Sequence, residues 1–266
     1  MGLAWTHQKI LYEKEGHVAV ITKNNPEKLN ALDAEMRAAQ SEAFADAEND
    51  DEIRVIVITG VGRGWNPGAN PEMFQRRSEA GYRLPPWKRP HGERDVSPYR
   101  RSDKIVIAAI NGYAYGSGMG EALWCDLRIM AESARLGPVW AKFAAPMEQG
   151  TSVSLPMLVG VAKAIELYAL AEPISAHQAL ELGLTNWVTP DDRLQRFARE
   201  VAHRIAKNSP FATALTKWML YRYAAPDLEH QLELFRWAED YTARTEDMAE
   251  GGRAYRERRP PVFRGR

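Results

Sequence analysis

Three glycines in five positions, Gly116, Gly118 and Gly120, follow a hydrophobic run, Ile105 to Ile110, and precede an apolar, helix-like segment, Ala122 to Cys125. Glycine permits a tight turn and lets a ligand approach bare backbone. The first N–H groups of the following helix have no partner within it and lie at the positive end of its dipole. Such a turn suits a bound anion, or an oxyanion that develops during a reaction. A second segment has the same logic: Trp65-Asn66-Pro67-Gly68-Ala69-Asn70-Pro71 follows the β-branched run Ile53 to Thr59. Two such donors converging on one carbonyl oxygen would stabilise an enolate or a tetrahedral oxyanion, although ordinary structural turns explain the same residues.

Other motifs are excluded by spacing. Gly60, Gly62 and Gly64 follow a strand, but Trp65-Asn66-Pro67 does not open the helix a dinucleotide site requires. No phosphate-binding G-x-x-x-x-G-K-[ST] is present, and Tyr115 stands where a serine-nucleophile elbow around Ser117 needs glycine. The histidines, His7, His17, His91, His177, His203 and His230, lack metal-ligand spacing, so no metal is expected. The single cysteine, Cys125, rules out an internal disulfide and reads as a buried, inert thiol.

The elements that must position these turns read as a soluble α/β core. The chain has 266 residues, 45% hydrophobic and 26% charged, with 35 Lys+Arg balancing 35 Asp+Glu, so nothing global favours nucleic acid or membrane. The first ten residues hold no apolar core of signal-peptide length, and a reducing cytoplasm is the expected compartment. Strands are predicted at His17–Thr22, Ile53–Thr59, Lys104–Ala109, Asp126–Met130 and Asn186–Thr189. Between the first two, apolar residues at helical spacing from Leu32 to Ala47 predict a helix, with Asn30 as a candidate cap. Residues 76–104 carry nine Lys/Arg against four Asp/Glu and four prolines, and read as a long basic surface loop or lid. After Pro190, helices are predicted at Leu194–Lys207, Pro210–Arg222 and Leu228–Glu246.

Taken together, these segments resemble the crotonase superfamily, the enoyl-CoA hydratase/isomerase family, over nearly the whole chain from His17 to Phe263. The family's N-P-x-x-x-N-A-L pattern is similar to Asn25-Pro26-Glu27-Lys28-Leu29-Asn30-Ala31-Leu32. Its A-G-A-D element looks like Pro67-Gly68-Ala69-Asn70, and its N-G-x-A-x-G-G-G-x-E looks like Asn111 to Gly120. Cys125-Asp126-Leu127-Arg128-Ile129, Leu158-Val159-Gly160, Glu181-Leu182-Gly183-Leu184 and Glu250-Gly251 follow in family order. The resemblance implies a spiral of β-β-α units over residues 1–190 that carries the active site. It also implies a helical region over 191–266 that builds homotrimers, often paired into hexamers, and contacts coenzyme A. It implies an acyl-CoA thioester substrate, with no cofactor other than the coenzyme A of that thioester. By position, the backbone N–H groups of Ala69 and Ser117 would form the oxyanion hole.

The departures from the pattern bear on the chemistry. Hydratases of the family use two glutamates, one closing the glycine motif and one about twenty residues later. Those positions are Gly120 and Trp140 here, and Glu121, one residue on, points about 100° away on a helix. Glu148 stands eight residues before Pro156, the spacing of the catalytic acid in one branch of the isomerases. Trp140 with an acid eight residues later also resembles the pair in a dehalogenase of the superfamily, where an Asp is the nucleophile. Glu148 is thus the catalytic candidate, against the plain reading of a solvated loop glutamate. One carboxylate can shuttle a proton between C2 and C4, whereas adding water ordinarily needs two groups, so isomerisation is favoured. A hydratase, a hydrolase, decarboxylase or dehalogenase, and a non-catalytic CoA-binding member are the alternatives. Trp65, Trp124 and Trp140 are candidates for the acyl pocket, or equally for the core. Lys28, Pro67, Arg258 and Phe263 are candidates for contacts to coenzyme A.

Overall fold

The computed structural model describes residues 2–68, 98–224, 237–239 and 242–264. The chain begins with three antiparallel strands, β1 (Gly2–His7), β2 (Ile10–Glu15) and β3 (Val18–Lys23). From β3 onward the sheet becomes parallel. It runs through β4 (Val55–Gly60), β6 (Ile105–Ile110), β8 (Leu127–Ala131) and β11 (Trp187–Thr189). The β-branched runs of β3 and β4 are buried throughout or nearly so, as expected of strands covered on both faces.

A second sheet is built from very short strands, in the order β10 (Ile174–Ser175), β9 (Arg135–Gly137), β7 (Tyr113–Tyr115), β5 (Gly64–Asn66). Successive pairs β4/β5, β6/β7 and β8/β9 each place the first strand in the large sheet and the second in the small one. Helices fill the turns of this spiral: α1 (Ala34–Asn49), α2 (Pro98–Arg101), α3 (Ser117–Trp124), α4 (Thr151–Val159), α5 (Val161–Leu170) and α6 (Ala176–Glu181). This is the mixed α/β spiral that the resemblance implies.

The start of α1 corrects one expectation. Asp33 caps it, accepting from Met36 N at 2.9 Å. Asn30 is instead a left-handed residue (φ 63°) whose amide ties the Asn25–Asn30 turn to β5, donating to Gly64 O at 2.6 Å and Val61 O at 2.9 Å.

Beyond Pro190, α7 (Leu194–Ala206) lies back across β3, β4, β6 and β8. It is followed by α8 (Pro210–Ala224), anchored where Lys217 Nζ meets Asp126 Oδ2 at 2.7 Å. The predicted helix Leu228–Glu246 and the basic 76–104 segment fall largely outside the described residues. The last helix, α9 (Glu246–Arg256), packs against the 3-10 turn Val139–Phe143: a Cβ on Gly251 would lie 2.9 Å from Phe143 Cα. Cys125 is buried, and burial with the nearby Glu121 charge pushes its thiol well above the ordinary range, as an inert thiol requires. Among the described residues no single helix is long and apolar enough to cross a membrane.

Candidate active site

The small sheet explains why two turns distant in sequence meet. β5 and β7 are parallel neighbours, and β9 runs parallel on the other side of β7, with Tyr115 opposite Gly137. Neighbouring strands lie about 4.8 Å apart. Whatever follows each strand therefore emerges at one edge: Pro67-Gly68 after β5, Gly116-Ser117 after β7, and Pro138-Val139-Trp140 after β9. A Cβ on Gly68 would lie 3.6 Å from Ser117 N. Gly118 is glycine because its α-carbon abuts strand β5, where a Cβ would sit 1.9 Å from Asn66 O. Helix α3 begins at Ser117 with no side-chain cap from Gly116, so its leading N–H groups are left for another acceptor. Ala69, the other predicted donor, lies outside the described residues, directly after the buried Gly68.

The candidate acid reaches the same point from a fourth segment. A Cβ on Gly116 would lie 3.9 Å from Glu148 Oε1, from Trp140 Nε1 and from Val139 Cγ2 alike. Glu148 is half-buried. The indole of Trp140 is 2% exposed, and among the described residues its N–H has no hydrogen-bond partner. The turn carrying Glu148 is fixed on both sides. Thr151 Oγ1 donates to Glu148 O at 2.6 Å, and Trp124 Nε1 donates to Gln149 O at 2.5 Å. Gly120 makes this possible, since a Cβ there would lie 2.6 Å from Thr151 Oγ1. The position read from sequence as a missing acid is thus the place where the Glu148–Thr151 turn lands. A side chain at residue 120 and this turn compete for one space.

Beneath the glycine turn is a buried polar cluster whose members are far apart in sequence. Glu121, 7% exposed, accepts four hydrogen bonds. Lys23 Nζ (2.7 Å) and Asn66 Nδ2 (2.8 Å) donate to Oε2. Gln40 Nε2 (2.6 Å) and Tyr99 OH (2.9 Å) donate to Oε1. Lys23 is fully buried and stands 3.5 Å over the Trp65 ring. Burial pushes the Glu121 carboxyl up, but the Lys23 charge and the hydrogen bonds from Lys23, Asn66 and Gln40 outweigh it and hold the group below its ordinary value. Burial pushes the Lys23 ammonium down, with Glu121 offsetting part of that. The sequence signals were a lysine closing the apolar strand HVAVITK and a glutamate inside an apolar helix, 98 residues apart.

The remaining predicted residues separate by location. Trp65 is fully buried beneath Lys23 and donates to Ile58 O at 3.3 Å, and Trp124 is 1% exposed. Of the three tryptophans, Trp140 has its indole nitrogen beside Gly116. Pro67 is partly exposed on the β5 turn, Lys28 is exposed on the 3-10 turn Pro26–Lys28, and Arg258 and Phe263 are exposed in the C-terminal tail. That tail is held by Glu250, which receives Arg259, Arg253 and the Val262 N–H.

Known proteins share this arrangement along its length. The family model described as enoyl-CoA hydratase/isomerase matches residues 13–266. A protein of Thermus thermophilus named as a putative enoyl-CoA hydratase is 35% identical over 259 residues, 94% of this chain and 98% of that protein. An (E)-benzylidenesuccinyl-CoA hydratase of Thauera aromatica is 34% identical over 261 residues, covering 96% and 99%. The solved structure of a carnitinyl-CoA dehydratase from Mycobacterium avium superposes with a TM-score of 0.84 at 28% identity, over 98% of this chain and all of that one. The chain belongs to the enoyl-CoA hydratase/isomerase family, the crotonase superfamily.

Proposed function

We propose that this enzyme moves the double bond of an enoyl-CoA, with Glu148 as its single acid–base group. The observation that carries the reading is the joint placement of Glu148 Oε1 beside Gly116 and of Thr151 in the space above Gly120. Among the described residues the Glu148 carboxylate stands beside Gly116, and a side chain at the position of the first hydratase acid would meet Thr151. In the reaction, a Glu148 oxygen takes a proton from C2 of a 3-enoyl thioester. The N–H groups of Ala69 and Ser117 hold the enolate oxygen, and Glu148 returns the proton at C4. The proton balance is closed and no water is consumed.

Trp140 forms a wall of the acyl pocket in this reading and presents its indole N–H to the acyl group. Lys28, Pro67, Arg258 and Phe263 contact coenzyme A, with residues 191–266 forming the region for that contact and for self-association. Exposed apolar side chains on α5 and α8, among them Val161, Ile165, Phe211, Trp218 and Tyr223, support a homotrimer or a dimer of trimers. The cytoplasm is the compartment proposed.

Water addition is the second reading, favoured by the hydratase names of the relatives. Incubating the enzyme with a 3-enoyl-CoA and, separately, with a 2-enoyl-CoA distinguishes the two. Conversion of the first to its 2-enoyl isomer, without 3-hydroxyacyl-CoA from the second, is expected. Rapid hydration of the second with no isomerisation of the first would overturn the proposal.

A further inference from the structure

We infer that Glu121 is a positioning residue for the reaction: its buried carboxylate sets the Asn66–Gly68 turn against the Ser117 N–H. The inference rests on the oxyanion pair of the proposed function, though not on the identity of the acid. A carboxylate accepts about four hydrogen bonds, and Glu121 already has four. It has no capacity left for substrate, so its role must run through what it holds.

What it holds is specific. Asn66 uses both ends of its amide, Nδ2 donating to Glu121 Oε2 at 2.8 Å and Oδ1 accepting from Gly68 N at 3.0 Å. The carboxylate is therefore two hydrogen bonds from the backbone of Gly68. The turn is also limited by close backbone contacts: Asn66 O abuts Gly118 of α3, the helix that carries Glu121, and Gly68 abuts Tyr115 O at the end of β7. Sterics fix how close the two turns come, and Glu121 fixes the tilt of one against the other. The same carboxylate receives Tyr99 of α2, so residues on both sides of the 69–97 segment are tied to one group. Lys23, capping Trp65, supplies the charge that keeps the carboxylate an acceptor in a dry site.

Replacing Glu121 alone would leave Lys23 buried and unpaired, and such a variant could fail to fold. Two double variants avoid this. Lys23→Met/Glu121→Leu removes both charges and every acceptor for Asn66. Lys23→Met/Glu121→Gln removes both charges but keeps an acceptor. The readout is the infrared stretch of a 13C-labelled thioester carbonyl in bound hexanoyl-CoA, a saturated thioester with no double bond to isomerise, together with kcat and KM. The wild type is expected to lower the stretch relative to free hexanoyl-CoA. The Gln variant should keep most of that shift. The Leu variant should lose at least half of it, with kcat falling between about 10-fold and 100-fold while KM stays within about threefold. A Leu variant with the wild-type shift and kcat would overturn the inference, as would a Gln variant no better than Leu. A wild type that produces no shift would overturn the oxyanion reading and this inference with it. A normal shift in an enzyme that hydrates rather than isomerises would overturn the proposed reaction alone.

Discussion

Glu121 and Glu148 flank the same glycine turn in opposite surroundings. Glu121 lies under it, sealed from solvent, with each oxygen taken by two donors. Glu148 lies over it, half-buried, on a turn held through its backbone carbonyl and that of Gln149, with its carboxylate directed to Gly116. Both are acids within reach of the motif; the surroundings of Glu121 suit it to holding its neighbours, whereas the proposed reaction gives the proton transfer to Glu148. A carboxylate whose four acceptor positions are filled stiffens what surrounds it.

If that division is correct, Glu148→Gln should reduce kcat by about 10² to 10⁴ while lowering the melting temperature far less, since Gln keeps the shape of the side chain. Comparing turnover with a thermal melt checks it. Gly120→Glu, which restores the hydratase acid in sequence, should fail to create a hydratase. The added side chain meets Thr151 Oγ1 and displaces the Glu148 turn, costing about 1–3 kcal/mol of stability. Denaturant unfolding and a hydration assay read both outcomes.

Acid should act on the lower glutamate. Because the Glu121 carboxyl is held below its ordinary value near 4.5, its contribution to stability is complete above that value. It is lost as pH falls through the folded value, when Lys23 is left charged beside a neutral acid. Asp33, Asp46 and Asp50, each held low first by a lysine, behave the same way in any variant. Melting curves between about pH 6 and pH 3 should therefore fall less steeply for Lys23→Met/Glu121→Leu than for the wild type. The smallest effect expected is from Trp124→Phe, which removes the donor to Gln149 O. It should cost about 0.5–1.5 kcal/mol in an unfolding titration and lower kcat only modestly.

The legible part of this molecule was the part encoded locally. The runs at Val18, Val55 and Ile105 announce buried strands because, apart from Lys23 at the end of the first, every residue in them is apolar or β-branched. The glycine motif announces close backbone approach. The second strand, β2, is not legible because ILYEKE has only two buried residues and ends in three charged ones, although it is paired on both sides, with β1 at the sheet's edge and with β3. Nor is the small sheet, because strands of three residues are too short to show a period. Yet that sheet brings Gly68, Ser117 and Trp140 together. Gly120 was legible as a substitution but not as a space for Thr151, because its neighbour is 31 residues downstream and arrives through the α4 cap. Lys23 and Glu121 were illegible for the same reason: each looks like a charge misplaced in an apolar segment until the other is placed beside it.

The division of labour between the two glutamates is tested most directly by exchange at C2. With a saturated acyl-CoA in D2O, the wild type should introduce deuterium at C2, followed by mass spectrometry. Glu148→Gln should abolish that exchange while still binding the thioester. Exchange at the wild-type rate in Glu148→Gln would contradict the assignment of Glu148 as the base.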